Sequence, residues 1–285
     1  MRTMPVKSAI YRLLAIDIDG TLVNSRDELT PDTQEALIRA GRAGIQVVLA
    51  TGRRYSHTLH LVEPLGIDVP LITASGALVK DPKDHRTLHK ATFDPQLLRQ
   101  ILKLIDQGGY DPLLCADTFA EGFDFFLAKQ KVKTPELQEY LDLNPNDGRI
   151  WPNLINDPPP DVFLVFTMGT KDQMLIMEQI LHGALSGRIS THVLRSPRYK
   201  GFLVEIASAG VSKWSGVKRL AESLGIEEAS ICAVGDDVND IPMIRAAGLG
   251  VAMGNALPEV KAAADRVAPT HDENGLVRVV EWLLE

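Results

Sequence analysis

The amino-acid sequence predicts an α/β fold, a parallel sheet core into which a separate α+β domain is inserted. Three observations carry that expectation. Short apolar runs at residues 13–18, 45–50 and 231–234 have the length and composition of strands buried on both faces. Helix-like segments separate neighbouring runs at the spacing of strand–helix–strand units. Residues 82–206 break that rhythm, with strand-like runs following one another and a stretch rich in Asn, Asp and Pro.

In chain order, the run at 13–18 is the first strand. Thr30 before Pro31 marks a helix start, with Thr as the N-cap and Pro in the first turn. This helix passes through Leu37 and Ile38 and ends near Gly41 or Gly44. Residues 45–50 form the second strand, 57–65 a helix and 70–73 a third strand. The rhythm resumes with a helix at 211–224, a strand at 231–234, a helix at 241–247 and a strand at 249–253. Helices at 258–264 and 276–284 close the chain. The middle carries helices at 97–105 and 173–185, strands at 162–167, 189–194 and 202–206, and turns at 144–160. The expected division is a discontinuous core, 1–82 with 208–285, and an inserted domain, 83–207.

Composition excludes several classes of function. With 45% apolar and 24% charged residues the chain has the make-up of a soluble globular protein. A net charge of -7 argues against a broad nucleic-acid footprint. Basic residues near the start (Arg2, Lys7, Arg12) precede no apolar run long enough for a signal peptide or membrane span. Cys115 and Cys232 are far apart and lack metal-ligand spacing. Neither a zinc site nor a disulfide framework is expected, and a reducing cytoplasm is the simpler home. Oligomeric state is not legible in the sequence.

In parallel α/β sheets ligands bind beyond the carboxyl ends of the strands, so the loops after Ile18, Ala50 and Val234 should converge. Each carries polar residues. Asp17 and Asp19 would share a face if the strand continued, and Gly20 permits a turn that brings backbone amides to an anion. Two carboxylates ending a buried strand need a counter-charge, and Mg2+ prefers oxygen ligands. Alone, such a pair is more often turn residues.

Thr51 with Gly52 offers a hydroxyl and an exposed amide to a phosphate oxygen, although Thr-Gly alone usually just ends a strand. Lys213 adds a point charge at a helix start, where anions are already favoured; an isolated Lys is ordinarily solvated. Asp236 stands just after its strand, as Asp17 does, which suits a shared metal. Asn239 and Asp240 are placed to cap the next helix or to orient the ligands, and a plain N-cap cluster is the alternative.

The four features in this order carry a resemblance. The segments DIDGTLVNS, TGRR, GVSKWSGV, GDDVNDIPM and GVAMGNALPEVKAAAD resemble the haloacid dehalogenase-like superfamily of phosphohydrolases. They are most similar to its Cof-type branch, whose members carry an inserted α+β cap. The resemblance implies a Rossmann-like parallel core, a cap closing over the site, and Mg2+ as cofactor. It makes Asp17 the nucleophile that forms an aspartyl-phosphate, and Asp19 the general acid/base. It assigns Asp17, Asp236 and the Asp19 backbone carbonyl to the metal. Ile18, Thr51, Gly52, Lys213 and Asn239 would bind the phosphate, with Asp240, Gly20 and Arg53 in support. One departure stands out: relatives commonly have Asn-Gly-Ala after the third strand, where this chain has Ser75-Gly76-Ala77.

The expected activity is hydrolysis of phosphate monoesters of small metabolites such as sugar phosphates. A specialised sugar-phosphate phosphatase or a phosphomutase of the same superfamily is the near alternative. A non-catalytic phospho-ligand binding protein on this scaffold is the distant one, against which the intact acidic and basic set argues. An ion pump of the superfamily is excluded, because it needs membrane helices. Within the insert, Phe123, Phe125 and Phe126 read as core, and Arg195, Arg198, Tyr199 and Lys200 as solvated turn residues.

Overall fold

The computed structural model describes residues 11–195 and 199–285, so Arg2, Lys7 and Arg198 lie outside the described residues. The chain forms two compact units, residues 1–89 with 212–285, and residues 90–211.

The first unit begins with β1 (Leu13–Ile16), α1 (Pro31–Arg42), β2 (Gln46–Ala50), α2 (Leu59–Val62), β3 (Leu71–Thr73), β4 (Leu78–Lys80) and β5 (Thr87–Lys90). The second holds α3 (Pro95–Gln107), β6 (Leu113–Cys115), β7 (Phe125–Leu127), α4 (Pro135–Leu143), β8 (Gly148–Ile150), β9 (Leu164–Gly169), α5 (Lys171–Leu185), β10 (Ile189–Leu194) and β11 (Phe202–Ser208). The first unit then resumes with α6 (Lys213–Ser223), β12 (Ile231–Gly235), α7 (Ile241–Ala246), β13 (Leu249–Ala252), α8 (Pro258–Ala263), β14 (Arg266–Val267) and α9 (Gly275–Leu284).

The sheet of the first unit runs β14-β13-β12-β1-β2-β3-β4-β5. Its pairs from β14 to β3 are parallel, as the sequence predicts, and β4 returns antiparallel to β3. The expected break after residue 82 falls short, because β5 is the edge strand of this same sheet. Apolar runs such as LLAI are buried at every position, which a sheet covered on both faces requires. Ile16 sits level with Leu49 on one side and Val234 on the other. The residues that follow these three strands therefore emerge side by side at one edge.

Three expectations are corrected here. The first strand stops at Ile16 rather than 18, because the chain turns at Ile18–Leu22 with Gly20 at φ 83°. The helix expected at 57–65 is broken into α2 and two single turns, since Pro64 cannot continue the hydrogen-bond ladder. The helix expected from 211 begins at Lys213, where the Ser212 hydroxyl accepts from the Ser215 amide and fixes the first turn.

The second unit is α+β. Its sheet runs β10-β11-β9-β6-β7-β8, antiparallel throughout except for the β7–β8 pair. Leu97, Ile101 and Ile105 of α3 and Met174, Met177 and Leu181 of α5 recur at helical spacing and share one core with Val165 and Val204 of the sheet. Phe123, Phe125 and Phe126 are buried, as expected. Tyr199 is not a solvated turn residue: its ring packs edge-on to Tyr140 at 4.8 Å and its hydroxyl accepts from Asn144. Among the described residues no helix is long and apolar enough to cross a membrane.

Candidate active site

The carboxyl edge of the first unit's sheet gathers the acidic and basic residues singled out from the sequence. Asp17 follows β1 and is held in register by its amide, which donates to the Val234 carbonyl at 3.0 Å. Its carboxylate is buried, and Lys213 Nζ donates to Asp17 Oδ1 at 2.5 Å and to Asp240 Oδ1 at 2.7 Å. Lys213 is itself buried at the first position of α6. Burial alone would favour the neutral amine; the charges of Asp17 and Asp240 outweigh it, so the Lys213 pKa is raised and the ammonium stays charged.

Asp240 is fully buried, and its other oxygen accepts from the Asp236 and Asp237 amides at 3.0 and 3.1 Å. Both of its oxygens are thus spent on holding Lys213 and the loop after β12. Asp236 Oδ1 accepts from the Thr21 hydroxyl at 3.0 Å. Gly20 makes this approach possible, since a β-carbon there would collide with the Asp236 carboxylate.

Asp17, Asp236 and Asp240 each bring a carboxylate oxygen to within 4.8 Å of the others. Three carboxyl groups thus surround the single Lys213 ammonium, two more acids than cations. The strain shows in the acids. Burial first, and the Asp240 charge second, raise Asp17 well above the usual carboxylate range, and the same causes bring Asp236 to about 7. Beside them the Asn239 side-chain oxygen is buried without a hydrogen-bond partner. Two acids more than cations, an all-oxygen donor set and an orphaned oxygen fit a divalent cation, which would favour the ionised acids.

Asp19 lies inside the Ile18–Leu22 turn, and its carboxylate pairs with Arg53, Nε donating to Oδ2 at 2.9 Å and NH2 to Oδ1 at 2.6 Å. Arg53 is nearly buried, and its NH2 also donates to Asp27 at 2.5 Å. Thr51 is buried at the end of β2, its hydroxyl oxygen accepting from the Arg53 amide at 3.0 Å, with Gly52 between them. The Ile18 side chain is packed in the core, so any ligand contact at that position belongs to its backbone amide.

Ser75 is buried with φ 54°, and its amide donates to the Thr51 carbonyl. This left-handed conformation suits Asn better than Ser, a backbone reason for the residue common in relatives. Gly76 next to it has φ 104°, and a β-carbon there would strike the Ser212 carbonyl at the head of α6.

Three contributors carried no assigned role in the sequence reading. Thr21 and Asn255 both reach Asp236, and Asn255 also donates to the Gly20 carbonyl at 2.8 Å. Asp27 is the second anchor of Arg53. Thr21 and Asn255 lie inside the segments DIDGTLVNS and GVAMGNALPEVKAAAD, which was the available signal.

Comparison with known proteins gives the family of the chain. The family model of haloacid dehalogenase-like hydrolases matches residues 14–280, and the chain belongs to that family, in its Cof-type branch. It is 31% identical to the phosphatase YwpJ of Bacillus subtilis over 96% of this chain and 100% of that protein. It is 28% identical to the 5-amino-6-(5-phospho-D-ribitylamino)uracil phosphatase YwtE of the same organism, over 96% of this chain and 98% of that one. Among solved structures, a haloacid dehalogenase-like hydrolase from Bacteroides thetaiotaomicron superposes with a TM-score of 0.78 at 27% identity, covering 96% of this chain and 99% of that one.

Proposed function

We propose that this hydrolase is a Mg2+-dependent phosphatase of small phosphorylated metabolites that works through an aspartyl-phosphate on Asp17. The observation that carries the reading is the buried Asp17–Lys213–Asp240 cluster beside Asp236, three carboxyl groups around one ammonium. The relatives' names support the substrate class, since they are phosphatases and one acts on a phosphorylated ribityl compound. The oxygen donors of Asp17, Asp236 and the Asp19 backbone carbonyl are the ones we assign to Mg2+. When bound, the ion would supply the missing positive charge and withdraw charge from phosphoryl oxygens.

In the first step an Asp17 oxygen attacks phosphorus and the bond to the leaving oxygen breaks. Asp19 donates a proton to that oxygen, so an alcohol departs. In the second step Asp19 takes a proton from water, the water oxygen attacks phosphorus, and the Asp17 carboxylate and inorganic phosphate are released. Lys213, the Thr51 hydroxyl and the Ile18 and Gly52 amides hold the equatorial oxygens, where charge is spread in the transition state. Asn239 would donate its side-chain N–H to the phosphate, and its unpaired oxygen is an acceptor for a water at the site. Asp240 keeps Lys213 in place.

The test is phosphate release from p-nitrophenyl phosphate and a panel of sugar phosphates, with Mg2+ and with EDTA. Metal-dependent turnover is expected on several members of the panel. Absence of metal-dependent turnover across the panel would favour a phospho-ligand binding protein instead.

A further inference from the structure

The pairing of Arg53 has no counterpart in the roles given so far, and its construction is specific. The guanidinium side chain is 8% exposed, while its two carboxylate partners, Asp19 and Asp27, are 41% and 43% exposed. Burial disfavours its charge, yet the hydrogen bonds and charges of Asp19 and Asp27 more than offset this and raise its pKa. The fork on Asp19 uses two parallel N–H donors, an arrangement that fixes the carboxylate plane as well as its distance.

Both ends of this fork are mounted on rigid backbone. The Arg53 amide donates to Thr51 Oγ1 at 3.0 Å, and its carbonyl accepts from Ala74 at 3.1 Å. Asp27 sits in a closed loop at φ 61°, where its amide donates to the Asn24 carbonyl and Asn24 Oδ1 accepts from the Arg26 and Glu28 amides. The Ser25 amide ties the same loop to Asp272. Asp19 lies in the turn Ile18–Leu22, just before Gly20 at φ 83°.

We infer that Arg53, anchored by Asp27, is the positioning residue that sets where the Asp19 carboxylate meets the leaving-group oxygen. Asp27 thereby becomes part of the acid/base apparatus without touching substrate. A guanidinium held at both ends cannot follow a drifting carboxylate, so it confines Asp19 to one arc of positions. Proton transfer needs hydrogen-bond reach between donor and leaving oxygen, so a loosened Asp19 would fail mainly where the leaving group requires a proton.

This inference rests on the proposed acid/base role of Asp19, and the test separates the two. kcat/KM reports the steps through departure of the leaving group, so it is compared for an alkyl phosphate, whose alkoxide needs protonation, and for p-nitrophenyl phosphate, whose phenolate does not. Asp19→Asn serves as the reference and is expected to lose the alkyl substrate about a hundredfold more than the aryl one. Arg53→Gln is expected to show the same selective loss, about tenfold or more, with an unchanged circular dichroism spectrum. Asp27→Asn is expected to show it about threefold, because the fork survives but its anchor is weakened. An equal loss on both substrates in Arg53→Gln, or no loss, overturns the inference while the Asp19 role stands. If Arg53→Gln does not fold, the exposed Asp27→Asn decides, and an unselective result there overturns it. No selectivity in Asp19→Asn overturns the acid/base reading itself and the inference with it.

Discussion

Lys213 Nζ lies 2.5 Å from Asp17 Oδ1, although the two residues are 196 positions apart in the chain. The contact joins the end of a central strand to the first residue of α6, and both side chains are buried. An ammonium in that position can hold a phosphoryl oxygen only if it is neither solvated nor displaced, and Asp240 on its far side secures both conditions.

Removal of this cation should therefore be costly twice over. Lys213→Met leaves Asp17 and Asp240 buried without a counter-charge, and breaking a buried pair in this way costs about 3–5 kcal/mol. Thermal unfolding should show a clear drop in Tm, and kcat should fall by about a hundred- to a thousandfold, as for loss of one charge-stabilising donor. Asp240→Asn should reproduce part of both effects, because it releases Lys213 without removing it.

The acidic cluster predicts a pH dependence of stability in the metal-free protein. Burial and the Asp240 charge raise the Asp236 carboxyl from an ordinary 3.8 to about 7. Between these values the folded chain keeps a proton that the unfolded chain has lost, so folding is favoured by lower pH. The contribution is fully present below about pH 4 and is lost as pH rises through about 7. In EDTA, wild-type Tm should fall across that window more than the Tm of Asp236→Asn, whose amide does not titrate. Mg2+ added at about pH 8 should raise wild-type Tm and leave the variant's unchanged.

Gly20→Ala tests the close packing beneath the two acidic strand ends. Its φ of 83° is unfavourable for alanine, and the new methyl group would press on the Asp236 carboxylate. The Mg2+ concentration that half-activates the enzyme should rise about 10- to 100-fold. The measurement is a Mg2+ titration of p-nitrophenyl phosphate hydrolysis, with the wild type alongside.

The parallel sheet was legible in the sequence because its central strands carry uninterrupted apolar runs, such as LLAI in β1 and VVLA in β2. Asp17, Thr51 and Asp236 were legible for the same reason, since each stands directly beyond such a strand, and Lys213 was legible as a helix start. What escaped is local or tertiary in origin. The strands β4, β6, β7 and β8 have three residues each, too few to express a period, and β8 lies inside a stretch that reads as turns. The helix at 57–65 fell to Pro64. The pairing of Asp19 with Arg53 joins residues 34 positions apart and had no signal in the spacing. The contacts of Thr21, Asn255 and Asp27 with Asp236 or Arg53 join positions 19 to 215 apart, and no spacing rule reports them.

Because every proposed role converges on a carboxylate nucleophile, the most direct test is phosphate release by wild type and Asp17→Asn, side by side, with saturating Mg2+. The variant keeps the size of the side chain and the Lys213–Asp240 pair, so its circular dichroism spectrum should match the wild type. Turnover should fall by about ten-thousandfold or more, as for loss of an essential nucleophile. Turnover by Asp17→Asn at a rate close to that of the wild type would contradict the account.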